Sequence, residues 1–147
     1  MPSAADYQFE KATEDGVAAL LESAGLTVEK QQGTGNLSTP RAELQVSLTG
    51  ARPDTIRGDS SAGFYHAGFD VALAVNTVTT RGDSSENHAE AVGKVRHALR
   101  NRGAFTSSVM PAHQVVDIRL TGSSVSIEAD LNLDVTTDTY EIQMIFR

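Results

Sequence analysis

Apolar and small residues recur at spacings of three and four through Phe9, Ala12, Thr13, Gly16, Val17, Leu20, Leu21 and Ala24. That spacing draws one stripe down a helix of roughly five turns. Ser3 to Asp6 has the form of a capping box ahead of it, and Gly25 stands where a C-terminal stop belongs. A short strand is predicted at Leu26 to Glu29. Gln31 to Pro40 then has loop chemistry throughout, with two glycines and a closing proline. From Arg41 to Leu48 the pattern changes to period two. Leu44, Val46 and Leu48 alternate with Glu43, Gln45, Ser47 and Thr49, which predicts a strand with one buried and one wet face. Residues 51–63 read as a second long, flexible loop.

Phe64 to Val78 alternates again, with Phe69, Val71, Leu73 and Val75 on one face and Asp70, Ala72, Ala74 and Asn76 on the other. The small alanines of the second face suggest a central strand covered by a helix. Ser85 is a good N-cap for a second helix, whose stripe is Ala91, Val92, Val95, Ala98 and Leu99 and whose stop is Gly103. Lys94, Arg96, Arg100 and Arg102 lie toward its C-terminal end, where the helix dipole favours cations. The last third predicts three strands, Val115 to Thr121, Val125 to Thr136 and Thr139 to Phe146. The intervening turns would be Gly122-Ser123-Ser124 and Thr137-Asp138.

Runs of antiparallel strands beside two amphipathic helices specify the α+β class, with a mostly antiparallel sheet of about five to six strands. The 147 residues suit a single domain spanning 1–147, large enough to bury roughly two thirds of the surface its unfolded chain exposes. Loops at about 31–40 and 51–63 would stay flexible.

Composition removes several functions. With no cysteine, disulfides, thiolate metal sites and thiol nucleophiles are excluded. A net charge of −7 with scattered basic residues disfavours a grip on nucleic acid, which needs clustered Lys and Arg. No apolar run approaches the roughly 20 residues of a membrane span, and Met1 to Asp6 lacks a basic-then-apolar leader pattern. Synthesis and use in the cytoplasm are expected, without a membrane partner.

Candidate chemistry is sparse. Asp130, Asn132, Asp134, Thr136, Asp138 and Glu141 fall at the spacing of a calcium-binding loop. The sixth position, however, is Val135 rather than the glycine that the sharp turn needs, and Leu131, Leu133 and Val135 continue a strand. Arg57-Gly58-Asp59-Ser60-Ser61 and Arg81-Gly82-Asp83-Ser84-Ser85 repeat an adhesion tripeptide, but Gly and Asp there equally mark turns. His66, His88, His97 and His113 show no i, i+4 spacing. Nucleophile-elbow, phosphate-loop and dinucleotide fingerprints are missing. Neither catalytic residues nor a metal or cofactor is therefore expected, and the chain reads as a non-enzyme. One feature stands out: Glu128, Asp130, Asn132 and Asp134, read as the outward face of the penultimate strand, concentrate negative charge. They are candidates to line a channel or to meet a basic neighbouring subunit.

The N-terminal amphipathic helix, the strands Arg41 to Leu48 and Phe64 to Val78, the helix Ser85 to Arg102 and the closing segment Asp130 to Arg147 together resemble the bacteriophage tail terminators, small tail-completion proteins of the head-tail junction. The likeness spans most of the chain, including Asp134-Val135-Thr136-Thr137-Asp138-Thr139-Tyr140-Glu141-Ile142-Gln143-Met144-Ile145-Phe146. It implies a virion protein assembled in the host cytoplasm and placed at the tail or neck. It also implies a homo-oligomeric, commonly hexameric ring that caps the tail tube, meets the tail tube protein and the head-tail connector protein, and lets DNA through as passing cargo. The family has no strict motif from which to carry over a functional residue. Rival readings are another junction component, such as a head-closure or adaptor ring, or a tail tube subunit. From other classes come a small ligand-binding module or enzyme using His66 or His113, and a calcium-dependent adhesion module.

Overall fold

The computed structural model describes residues 8–30, 39–53, 66–82, 85–100 and 113–146. Helix α1 (Phe9–Ser23) stops where the backbone turns left-handed. Gly25 has φ +89°, its N–H donates to the Glu22 carbonyl at 3.0 Å, and the Leu26 N–H reaches back to the Leu21 carbonyl at 3.1 Å. These are the two bonds of a Schellman ending. The helix is about four turns long rather than five, because Ala24 already serves as the cap. Gln8 precedes the first turn; the predicted capping box at Ser3 to Asp6 lies outside the described residues. Nothing stands within 4 Å of a Cβ added at Gly25, so a side chain there would cost conformational energy alone. Gly25→Ala is expected to lower stability by about 1 kcal/mol, seen as a fall of about 2–4 °C in thermal midpoint. An unchanged midpoint would show that the αL ending is dispensable.

The strands are β1 (Thr27–Glu29), β2 (Arg41–Pro53), β3 (His66–Thr80), β4 (His113–Glu128) and β5 (Leu133–Phe146), with α2 (Ser85–Arg100) between β3 and β4. They form one sheet in the order β1-β2-β3-β5-β4. Only the β1–β2 pair is parallel; the others are antiparallel. This is the α+β architecture expected, with β3 at the centre. Phe69, Val71, Leu73 and Val75 are fully buried on the helix side, together with Val17 and Leu21 of α1, Val95 and Leu99 of α2, and Ile142 and Met144 of β5. The Phe9 and Phe69 rings stack with centroids 3.9 Å apart. The helical layer thus covers the large side chains of β3. Ala72 and Ala74, expected beneath a helix, lie on the face away from α1 and α2 and are half-buried.

Three expectations are corrected. β2 runs on to Pro53, so residues 51–53 are strand rather than loop; residues 54–63 and most of the other predicted loop, 31–38, lie outside the described residues. Leu48 is 43% exposed instead of buried, although it pairs with the buried Val71 on the helix side.

The third correction concerns the closing segment, which forms two long strands rather than three. The predicted turns at Gly122-Ser123-Ser124 and Thr137-Asp138 face each other within the ladder, as Gly122↔Thr139, Ser123↔Asp138 and Ser124↔Thr137. The glycine is absorbed by a register shift between Leu120 and Gly122, and the Asp138 carboxylate is taken up by Arg96. The real reversal is a 3-10 turn at Ala129–Leu131, closed by Asn132 in the left-handed region at φ 56°, ψ 46°. Asparagine tolerates that region better than most residues.

Candidate functional site

The β4–β5 hairpin carries most of what is unusual about this surface. Its tip is pinned to the end of β3 by two hydrogen bonds. The Arg81 N–H donates to the Asn132 carbonyl at 2.8 Å, and the Asn132 side-chain amide donates to the Arg81 carbonyl at 3.1 Å. Arg81 is there because it follows the Thr80↔Leu133 pair of the β3–β5 ladder, and Gly82, at φ +102°, turns the chain next. The turn reading of Arg81-Gly82 therefore has a structural partner. Asp83, Ser84 and the whole Arg57 to Ser61 copy lie outside the described residues.

Farther down the hairpin, α2 is latched to β5. Arg96 Nε and a terminal nitrogen donate to the two Asp138 oxygens at 2.8 and 2.9 Å, and Arg96 also reaches the Ser123 hydroxyl of β4 at 3.1 Å. The Asp138 side chain is only 2% exposed, whereas that of Arg96 is 44% exposed. Burial pushes the Asp138 carboxyl up, but the hydrogen bonds from Arg96 and Ser123, the guanidinium charge and the Tyr140 hydroxyl outweigh it and hold the group below the usual carboxylate value. Burial, reinforced by the Asp138 charge, raises the Tyr140 hydroxyl far above its ordinary value. About two turns earlier on α2, His88 bridges the hydroxyls of Thr79 and Thr136, 2.7 Å from each ring nitrogen. On the face away from α1 and α2, Arg119 donates to Glu141 at 3.0 Å.

Glu128, Asp130, Asn132 and Asp134 do not form one face of a strand. They surround the hairpin tip: Glu128 ends β4, Asp130 lies in the 3-10 turn, Asn132 closes it and Asp134 follows in β5. Ile127 pairs with Asp134 and Glu128 with Leu133. Glu128 and Asp134 therefore point to opposite faces. Glu128 and Asp130 are exposed and Asp134 is half-buried. The calcium-type series is not gathered either, since Asp134, Thr136 and Asp138 run along an extended strand and Glu141 points to its other face, onto Arg119. Among the described residues there is no group of three His, Asp or Glu able to hold a metal.

The apolar face of β4 is the larger surprise. Leu120, Val125 and Ile127 pair with Tyr140, Thr136 and Asp134, which places them on the helix side. Yet they are 46%, 73% and 54% exposed. Helix α1 lies over β1 and β2, and α2 over β3, with Arg96 reaching β5. No described helix covers β4 from Leu120 to Ile127, although Val115 near its start is buried in the core. The alternation at Val125 and Ile127 was legible in the sequence; that no helix would cover it was not. Arg96 and Asp138 were legible only as a helix-end cation and a turn residue, because no spacing rule links positions 42 residues apart.

For a catalytic reading the structure offers little. His66 and His113 lie in β3 and β4, strands separated by β5, and His97 is exposed on α2. A cleft of about 260 Å³ opens beside Gly25, Leu26, Thr79, Glu90 and Lys94. Its two ionisable groups face each other at 3.5 Å, and both are largely exposed. No described helix is long and apolar enough to cross a membrane.

No family model and no curated protein matches the chain. A solved structure does. A chain in the virion of a native gene transfer agent (GTA) particle superposes with a TM-score of 0.58 at 15% identity, over 88% of this chain and 84% of that one. The two share a fold. At so low an identity the likeness extends to the arrangement of strands and helices and no further.

Proposed function

We propose that this protein is a virion structural component, a tail terminator whose copies close into a ring on the end of the tail tube and join it to the head connector. The observation that carries the reading is the likeness of fold, over 88% of this chain, to a chain in a virion. It is supported by a surface that is apolar along an edge strand and charged at a hairpin tip, which suits assembly better than catalysis. In this ring, commonly hexameric in the proteins that the sequence resembles, the acidic tips formed by Glu128, Asp130 and Asp134 face the channel. Phosphates passing through meet like charge and do not stick.

The reading is tested by the native mass of the purified chain and by negative-stain imaging, alone and with tail tubes. A ring with a central hole, free or seated on a tube end, is expected; a chain that stays monomeric in both settings would overturn it. The lumen assignment has its own test. The triple variant Glu128→Lys, Asp130→Lys, Asp134→Lys is expected to keep the ring and to gain DNA binding that weakens steeply with added salt. A variant ring that still ignores DNA at low salt would remove the tips from the channel.

A further inference from the structure

Among the described residues the sheet ends at β1 and β2 on one side and at β4 on the other, and the two ends match. At one end β4 is an edge strand of 16 residues, with Leu120, Val125 and Ile127 exposed on its helix side and no described helix above them. At the other end β1 pairs only with Arg41 to Glu43, so from Ser47 to Pro53 no described strand lies outside β2. There Leu48 is exposed on the helix side too, paired with the buried Val71. Helix α1 overlies this second edge.

From this we infer that a second copy of the same chain docks head-to-tail, its β2 edge extending the sheet beyond β4 and its α1 covering Leu120, Val125 and Ile127. The proposal rests on the ring reading and names the surfaces that close the ring. Geometry supports it: two helices cover four strands of a five-stranded sheet, and the neighbour's α1 supplies the cover that β4 lacks. Charge supports it as well. The incoming α1 presents exposed Glu10 and Glu22, and it lands beside the α2 of the first copy, which presents exposed Lys94, His97 and Arg100. Such a contact uses two different surfaces, so each copy can accept one neighbour and be accepted by another, as a closed ring requires. An exposed edge strand with an apolar face left uncovered would invite unspecific pairing.

The test uses two full-length variants. Val125→Lys with Ile127→Lys spoils the β4 surface, and Leu48→Lys spoils the β2 surface. All three side chains are exposed, so each variant is expected to keep the wild-type thermal midpoint of its monomer. By sedimentation, the wild type assembles, each variant alone is monomeric, and an equal mixture of the two gives a dimer that grows no further, since one intact surface of each kind remains. A milder pair, Val125→Thr with Ile127→Thr, keeps strand propensity. It is expected to weaken assembly by roughly tenfold in dissociation constant. Variants that assemble like the wild type would overturn the assigned surfaces while leaving the ring intact. Variant dimers that form without mixing would mean a two-fold contact and would overturn the head-to-tail arrangement. A wild type that never assembles would overturn the ring itself.

Discussion

Phe69→Ala is expected to lower stability by about 3–5 kcal/mol, the largest effect of any single truncation considered for this chain. Phe69 is wholly buried at the centre of the sheet, with Phe9 of α1 stacked on it at 3.9 Å. Removing the ring takes away its own burial and leaves a cavity under α1, which cannot close without moving the helix. The thermal midpoint should fall by about 10 °C. Leu131→Ala provides the contrast, because Leu131 is 69% exposed and its truncation should change stability by no more than about 0.5 kcal/mol. Chemical denaturation of both variants checks the pair. Similar losses for the two would mean that the core does not lie between α1 and β3.

The second large effect is expected from Arg96→Ala, which strands the Asp138 carboxylate. Breaking a fully buried ion pair from one side costs about 3–5 kcal/mol. Arg96 is partly exposed and water can reach part of the space it leaves, so about 2–3 kcal/mol is expected. The pH dependence follows from the direction of the Asp138 shift. Its carboxyl lies lower in the folded than in the unfolded chain, so its contribution is complete above the unfolded carboxylate pKa and is lost as pH falls through the folded value. The gap between wild type and Arg96→Ala should therefore be constant near neutrality and shrink in acid, below the ordinary carboxylate range. A gap that widens in acid would contradict the pairing.

Much of this architecture was readable from periodicity alone. Phe69 to Val75 and the α2 stripe announce themselves because period two and period 3.6 repeat over enough residues to be unmistakable. Gly25 was readable because only one backbone shape suits a glycine at a helix end. The closing segment was misread for a physical reason. Gly122-Ser123-Ser124 and Thr137-Asp138 have turn chemistry, but each stretch lies opposite the other in the ladder, and Arg96, far away in sequence, neutralises the one charge that would have resisted burial. The acidic candidates were assigned to a strand face, whereas they stand around a turn. The turn that contains them is made by Asn132, whose left-handed backbone leaves no periodic signal. The exposed face of β4 was invisible in principle, since alternation shows that one face is apolar but not whether anything covers it.

The central claim is that this chain works as part of a particle, at the junction of tail tube and head. The most direct measurement is to label the chain in particles from cells that produce it and to locate the label by electron microscopy, with particles from cells lacking the chain imaged alongside. The account predicts label confined to one site at the tube–head junction, and tails without heads or of uncontrolled length when the chain is absent. Complete, normal particles without the chain, or label found only outside particles, would contradict it.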